Sequence, residues 1–90
     1  MVIVKTAAEI KKLREAGRLS ALALKVGGEA VVPGATTEDI DKAIHDFIIK
    51  QGATPSFLNL YGFPASACIS VNDELIHGIP GKRVIKEGDI

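Results

Sequence analysis

The sequence has no tryptophan, only one cysteine and no excess of either charge. Eleven basic residues balance eleven acidic ones, so no basic patch predicts an interface with nucleic acid. One cysteine cannot form an internal disulfide, which is typical of proteins from a reducing compartment. No apolar run approaches the length needed to cross a bilayer, and Met1–Lys5 lacks the features of a signal peptide. We therefore expect a cytoplasmic protein that contacts neither nucleic acid nor membrane.

The chain nevertheless has enough apolar residues to form a core. Its apolar fraction is 47%, which is normal for globular proteins and argues against disorder. Ninety residues correspond to one small domain or to part of a larger one. A chain this short buries only about 60–65% of the surface that its unfolded form exposes. No repeat or linker divides the chain, so residues 1–90 are predicted to form a single unit.

A long amphipathic helix is predicted at the start of the chain. Thr6 and Glu9 form a capping-box pattern, and an apolar pattern at helical spacing follows at once. This spacing predicts one broad buried face. The main stripe of that face is Ile10, Leu13, Gly17, Ala21 and Leu24, widened by Ala16, Leu19, Ala23 and Val26.

A second helix is predicted after the Pro33–Gly34 turn. Thr36 or Thr37 can act as its N-cap, and Gly52 is the predicted C-cap residue. Its apolar face consists of Ile40, Ile44, Phe47 and Ile48. We interpret His45 as a solvated surface imidazole rather than as a ligand.

The loop from Ala53 to Ser66 contains three of the four aromatic residues, Phe57, Tyr61 and Phe63. Periodicity alone favours an aromatic plug that fills the core under the two helices. The alternative is a pocket wall for an apolar side chain.

A β-hairpin is predicted from Ala67 to Pro80, with Asn72–Asp73 as its two-residue turn. In that register Cys68 faces His77, with Cβ atoms about 5 Å apart. The expected fold is therefore α+β, with two amphipathic helices packed on an antiparallel β-hairpin.

The residues alone support little chemistry. Cys68 and His77 could form a nucleophile–base pair or half of a metal site. A buried thiol beside a hydrogen-bonded histidine is the simpler interpretation. No phosphate-binding motif is present, and no metal site is predicted from these residues alone.

Seven segments, in order along the chain, resemble the N-terminal half of the type I methionine aminopeptidases. The most specific is His77–Gly81, whereas Pro33–Thr37 is shared more widely with prolidase-like relatives. The chain departs from many relatives at Asn59–Leu60, where they have Gly-Tyr, and its tyrosine is displaced to Tyr61. The matching segments are Thr6–Ile10, Arg14–Gly17, Val32–Thr37, Ala53–Phe57, Gly62–Pro64, Cys68–Asn72 and His77–Gly81.

The resemblance implies half of a pita-bread fold and an activity, the removal of initiator methionine from new polypeptides. It also implies one or two divalent metal ions, such as cobalt, manganese, iron or zinc, that acidify a bound water. His77 matches a catalytic histidine that hydrogen-bonds the substrate without binding metal. Phe57, Phe63 and Cys68 match positions that line the pocket for the methionine side chain. The implied partner is a peptide with an N-terminal methionine.

The resemblance places the metal ligands outside this sequence. Asp89–Ile90 matches the approach to the strand that carries the family's first metal-binding aspartate, so all five ligands are expected beyond it. We expect residues 1–90, as the N-terminal half of the catalytic domain, to bind no catalytic metal and to be inactive alone. One alternative is a non-catalytic half-pita-bread module that self-associates or pairs with a separate second half. A prolidase-like aminopeptidase is a weaker alternative.

Overall fold

The computed structural model describes residues 1–90 as two long helices followed by a largely irregular segment. Helix α1 spans Ala7–Ala30, helix α2 spans Thr37–Lys50, and a short 3-10 helix spans Leu60–Gly62. The two long helices pack against each other. The only β-type pairing is an isolated antiparallel bridge between Thr36 and Val84. Neither long helix has the length and apolarity that a membrane span requires.

Reciprocal side-chain hydrogen bonds fix the start of each helix. The capping box predicted at Thr6 is confirmed, since the Thr6 amide donates to Glu9 Oε1 at 2.9 Å and the Glu9 amide donates to Thr6 Oγ1 at 3.2 Å. Thr36 and Asp39 exchange the same two bonds at the start of α2, at 2.9 and 3.1 Å. These bonds satisfy groups that lack a partner at a helix end. Because each carboxylate accepts a backbone amide, the pKa values of Glu9 and Asp39 are held below their usual range.

Helix α1 buries a much smaller face than the sequence predicts. Its buried residues are Ala23 and Gly27, near its C-terminal end. The predicted main stripe is wrong, because Ile10, Leu13 and Leu24 are 46%, 55% and 76% exposed. The physical reason is that α2 has only 14 residues against the 24 of α1 and contacts the last turns, where Gly27 lies.

The contact between the helices depends on a missing side chain. A Cβ atom built on Gly27 would lie 2.7 Å from Ile44 Cδ1, so the glycine allows α2 to approach α1 closely. Helix α1 continues past this glycine and ends at Ala30.

Helix α2 ends in a Schellman motif around Gly52. The Gly52 amide donates to the Ile49 carbonyl at 2.9 Å, and the Ala53 amide donates to the Ile48 carbonyl at 3.1 Å. Gly52 therefore lies one residue beyond the C-cap, Gln51.

The small core lies between α2 and the irregular segment. Its buried members are Ile40, Val71 and Ile85, which are 3–7% exposed. Half-buried residues packed against this cluster are Ala30, Ile44 and Ile69.

The N-terminal turn of α2 holds the last part of the chain in place. The Thr37 amide donates to the Arg83 carbonyl at 3.1 Å, and the Glu38 amide donates to the Gly81 carbonyl at 3.0 Å. The buried Thr37 hydroxyl accepts the Gly81 amide at 2.8 Å and lies 3.2 Å from the Gly81 carbonyl. Helix amides that would otherwise lack partners are thus satisfied by the 81–83 backbone.

The predicted fold class is wrong. Residues 1–90 form no β-strand or sheet, so the two helices do not pack on an antiparallel β-hairpin. The predicted turn at Asn72–Asp73 is present, with the Glu74 amide donating to the Val71 carbonyl at 3.1 Å. The arms on either side of this turn do not form the predicted ladder.

The ladder is absent because Ile69 pairs with Gly78 instead of Ile76, and the amides of Val71 and Asn72 have partners outside the second arm's backbone. The Val71 amide donates to the Glu74 carboxylate at 2.8 Å, and the Asn72 amide donates to the Ile90 carbonyl at 2.7 Å. The Asn72 side chain in turn accepts the Ile90 amide at 2.9 Å. Asn72 thus pairs with the last residue of the chain rather than with the second arm.

Replacing Thr37 by valine tests the attachment of the last segment to α2. Thr37→Val keeps the side-chain shape but leaves the Gly81 amide without its partner, so we expect the free energy of unfolding to fall by about 1–3 kcal/mol. Thr37→Ser keeps the hydroxyl and should lose less than about 1 kcal/mol. Urea denaturation followed by helical circular dichroism measures both changes. Equal midpoints for the valine variant and the unaltered chain would contradict this role.

Candidate functional site

The candidate substrate-binding residues begin in a loop that closes on itself. The Asn59 amide donates to the Phe63 carbonyl at 2.8 Å, and the Leu60 amide donates to the Phe57 carbonyl at 3.0 Å. This closure brings the rings of Phe57 and Phe63 together, with centroids 6.2 Å apart and planes tilted by 56°. Tilted pairs at this distance are favourable for aromatic rings. Two of the predicted residues therefore share one surface.

The aromatic loop does not plug the core. Phe57 is 44% exposed and Tyr61 is fully exposed, whereas the buried core cluster is entirely aliphatic. The prediction of an aromatic plug under the two helices is therefore wrong. The alternative, a pocket wall that includes Phe57 and the half-buried Phe63, stays a prediction.

Cys68 is half-buried and carries a free thiol. The residues before it are attached to α2 by side chains. Asp41 Oδ1 accepts the amides of Ser66 and Ala67 at 2.9 and 2.8 Å. His45 Nδ1 lies 2.7 Å from the buried Ser66 hydroxyl. Helix α2 therefore fixes the position of the backbone immediately before Cys68.

Sequence reasoning missed Asp41 and Ser66 and misplaced His45. The predicted solvated imidazole of His45 is in fact half-buried and hydrogen-bonded. The available signal is the spacing of Asp41 and His45, which places two polar side chains on one face of α2. That face lies beside the apolar stripe that starts at Ile40.

His77, the predicted catalytic residue, is exposed and makes no hydrogen bond within the chain. Its backbone lies in the left-handed region, with φ of +54°. A non-glycine residue there costs on the order of 1–3 kcal/mol, and such conformations concentrate at functional sites. The imidazole is thus free to contact a bound molecule.

Gly78 fixes the backbone next to His77. The Ile69 amide donates to the Gly78 carbonyl at 2.9 Å, and the Gly78 amide donates to Ser70 Oγ at 3.1 Å. A Cβ atom on Gly78 would lie 2.1 Å from the Ile69 carbonyl oxygen. No other residue fits here without a backbone shift.

The predicted cross-strand pair of Cys68 and His77 is absent, together with the hairpin register that would create it. That register places Ile69 opposite Ile76, whereas the structure pairs Ile69 with Gly78. No hydrogen bond joins Cys68 to His77, so the nucleophile–base hypothesis lacks the contact that it needs.

The residues of this chain do not form a donor set for a divalent metal. No three His, Cys, Asp or Glu side chains lie close enough together to bind one ion, and a metal site needs about three protein ligands. Asp89 instead accepts the Asn72 side-chain amide at 3.0 Å and the Lys86 backbone amide at 2.8 Å. These two bonds hold the pKa of Asp89 below its usual range.

Comparison with known proteins identifies a group of similar enzymes. The sequence profile of metallopeptidase family M24 matches residues 11–90. Methionine aminopeptidase from Clostridium perfringens is 51% identical over 90 residues, and methionine aminopeptidase 1 from Bacillus subtilis is 50% identical over 90 residues. Each alignment covers 100% of this chain but 36% of the relative. The resemblance to methionine aminopeptidases noted in the sequence is confirmed.

Solved structures agree with the sequence comparison. Methionine aminopeptidase from Thermotoga maritima superposes with a TM-score of 0.95 at 38% identity, covering 100% of this chain and 36% of that one. The enzyme from Rickettsia prowazekii gives a TM-score of 0.94 at 38% identity, covering 99% and 36%. The backbone therefore follows the path of part of these enzymes, and it spans about a third of their length.

Replacing Gly78 by alanine tests the close approach beside His77. The added methyl group must push Ile69 away and break its hydrogen bond, so we expect a loss of at least about 2 kcal/mol in the free energy of unfolding. Gly81→Ala is the matched control, because its Cβ would meet no atom nearer than 4.0 Å. Urea denaturation compares the two variants. Equal losses would show that the approach at Gly78 is not restrictive.

Proposed function

The chain belongs to metallopeptidase family M24, and on that premise we propose that it is the N-terminal segment of a methionine aminopeptidase. Such an enzyme removes the initiator methionine from nascent polypeptides, with a divalent metal ion. The observation that supports the proposal best is 51% identity to the Clostridium perfringens enzyme over the whole chain. The single free cysteine suits a cytoplasmic site of action.

In this proposal Phe57, Phe63 and Cys68 contact the methionine side chain. The two rings lie side by side, with centroids 6.2 Å apart, and leave Phe57 partly exposed, so they present an aromatic surface to a ligand. Contacts between a thioether sulfur and an aromatic ring are worth about 0.3–1.5 kcal/mol each. Such a surface favours methionine over a branched aliphatic side chain.

His77 contacts the peptide bond to be cleaved. Its imidazole is exposed, unpaired and held in a strained backbone conformation beside Gly78. A neutral imidazole can donate a hydrogen bond to the substrate carbonyl or accept one from its amide. The role of His77 is therefore to orient the scissile bond.

In this proposal the metal ligands come from outside residues 1–90, where the resemblance to methionine aminopeptidases places them. Within the chain, no three donor side chains lie together. The chain accordingly contributes substrate contacts without the hydrolytic centre. We expect the ninety residues to be inactive by themselves.

Complementation tests this function. The chain is mixed with the part of the Clostridium perfringens enzyme that it does not cover, manganese or cobalt is added, and methionine release from a Met-Ala-Ser peptide is followed. We expect no release by the chain alone and measurable release by the mixture. In the mixture His77→Ala should lower kcat/KM about 100-fold, because the hydrogen bond that orients the scissile bond is lost.

Lys82→Ala, at an exposed position five residues after His77 in the sequence, serves as the matched control and should leave release unchanged. Release by the purified chain alone would contradict inactivity in isolation. A mixture that forms a complex with bound metal but releases no methionine would contradict the proposed activity.

A second candidate function, a non-catalytic assembly module, is favoured by exposed apolar side chains in the last part of the chain. Leu75, Ile76 and Ile79 are 89%, 67% and 63% exposed, and Ile90 is 91% exposed. Residues 75–77 make no backbone–backbone hydrogen bond. Unpaired backbone together with exposed apolar side chains is typical of an interface. Because this chain covers only 36% of a similar enzyme, we propose that a separate second part of the fold covers this surface.

Sedimentation velocity tests the association. We expect a monomer at micromolar concentration that forms a 1:1 complex with the remaining part of the Clostridium perfringens enzyme. Leu75→Asp should weaken the complex at least about tenfold, since a charge would be buried at the interface. Leu13→Asp, on the exposed face of α1, is the control. Concentration-dependent dimers of the chain would instead assign the surface to a second copy.

A further inference from the structure

We propose that Asp41 is a positioning residue that holds Cys68 in the wall of the methionine recess. The assignment rests on the proposed function for the identity of the recess, but the attachment itself is a property of the described residues. Asp41 lies on α2, 25 residues before Ser66 in the sequence, and Ser66 is one of the two residues whose amides it binds.

The segment that carries Cys68 has no attachment through secondary structure. Residues 64–68 neither donate nor accept a backbone–backbone hydrogen bond. The preceding loop closes at Phe63, and the next backbone bond is made by Ile69. Five consecutive residues therefore depend on side chains for their polar attachment.

Asp41 provides most of that attachment. One carboxylate oxygen accepts two successive amides, from Ser66 at 2.9 Å and from Ala67 at 2.8 Å. Hydrogen bonds to an ionised carboxylate are stronger than those between neutral groups. Because the two amides are adjacent, this pair of bonds fixes both the position and the direction of the backbone that leads into Cys68.

His45 adds a third bond, one helical turn beyond Asp41. Its Nδ1 lies 2.7 Å from Oγ of Ser66, which is only 6% exposed. Ser66 is thus held by its backbone and by its side chain. On the other side of Cys68, Ile69 is bonded to Gly78 next to His77. The thiol therefore lies between two fixed points, α2 and the backbone beside the candidate catalytic histidine.

The rate at which Cys68 reacts with a thiol reagent measures this positioning directly, since the chain has no other cysteine. Dithionitrobenzoate is added to four folded forms, the unaltered chain and the Asp41→Ala, Asp41→Asn and Asp46→Ala variants. We expect Asp41→Ala to raise the reaction rate about tenfold, because two amides lose their acceptor and the half-buried thiol is released.

Asp41→Asn keeps an oxygen acceptor at the same place, so its rate should stay within about threefold of the unaltered chain. Asp46→Ala removes a carboxylate from the same helix whose side-chain hydrogen bond is made with exposed Lys42, and it should leave the rate unchanged. Rescue by asparagine separates positioning from a general loss of stability. An unchanged rate in Asp41→Ala with its helical signal intact, or equal increases in the alanine and asparagine variants, would overturn the proposal.

Hydrogen exchange on the unaltered chain provides a second measurement that does not depend on the folding of any variant. The Ser66 and Ala67 amides should exchange at least about tenfold more slowly than the Cys68 amide, which has no bonded acceptor. Equal rates would overturn the proposal even if Asp41→Ala fails to fold. Neither experiment involves hydrolysis, so failure of the proposed aminopeptidase activity would leave both results intact. Slower reaction of Cys68 with the thiol reagent in the presence of a Met-Ala-Ser peptide would connect the position of Cys68 with the proposed methionine recess.

Discussion

Hydrogen bonds between α2 and the backbone of otherwise unpaired segments hold this structure together. At its N-terminus, the amides of α2 and the Thr37 hydroxyl bind residues 81–83. One turn later, Ile40 enters the core, and Asp41 binds the backbone before Cys68. A single 14-residue helix thus performs the organising role that a sheet has in most α/β domains.

The range of an interaction along the chain decided which features could be predicted. The capping box of Thr6 and Glu9 connects residues three apart, so its pattern is visible in the sequence. The prediction of a hairpin failed because Asn72 is hydrogen-bonded to Ile90, and local β-propensity cannot reveal such a distant partner. The prediction of a broad buried face on α1 failed for a similar reason. Periodicity shows which face of a helix is apolar but not whether a neighbouring element covers it.

The candidate site was found by resemblance rather than by geometry. The sequence placed Cys68 opposite His77 through a register that does not exist, yet motif similarity selected the same residues. The structure brings Phe57 and Phe63 together through a loop closure, and it places His77 beside a glycine that admits no side chain. The spacing of Asp41 and His45 indicates a polar face on α2, but it does not reveal the partners of Asp41, which lie in a loop without secondary structure.

The full exposure of Tyr61 has an optical consequence. Because the chain has no tryptophan and no other tyrosine, nearly all of its near-ultraviolet emission originates from this one phenol. The phenol lies in the loop that joins the two contacting phenylalanines, surrounded by water. Any molecule that binds to that loop would therefore change the intrinsic tyrosine fluorescence of the protein, so binding could be followed without a label.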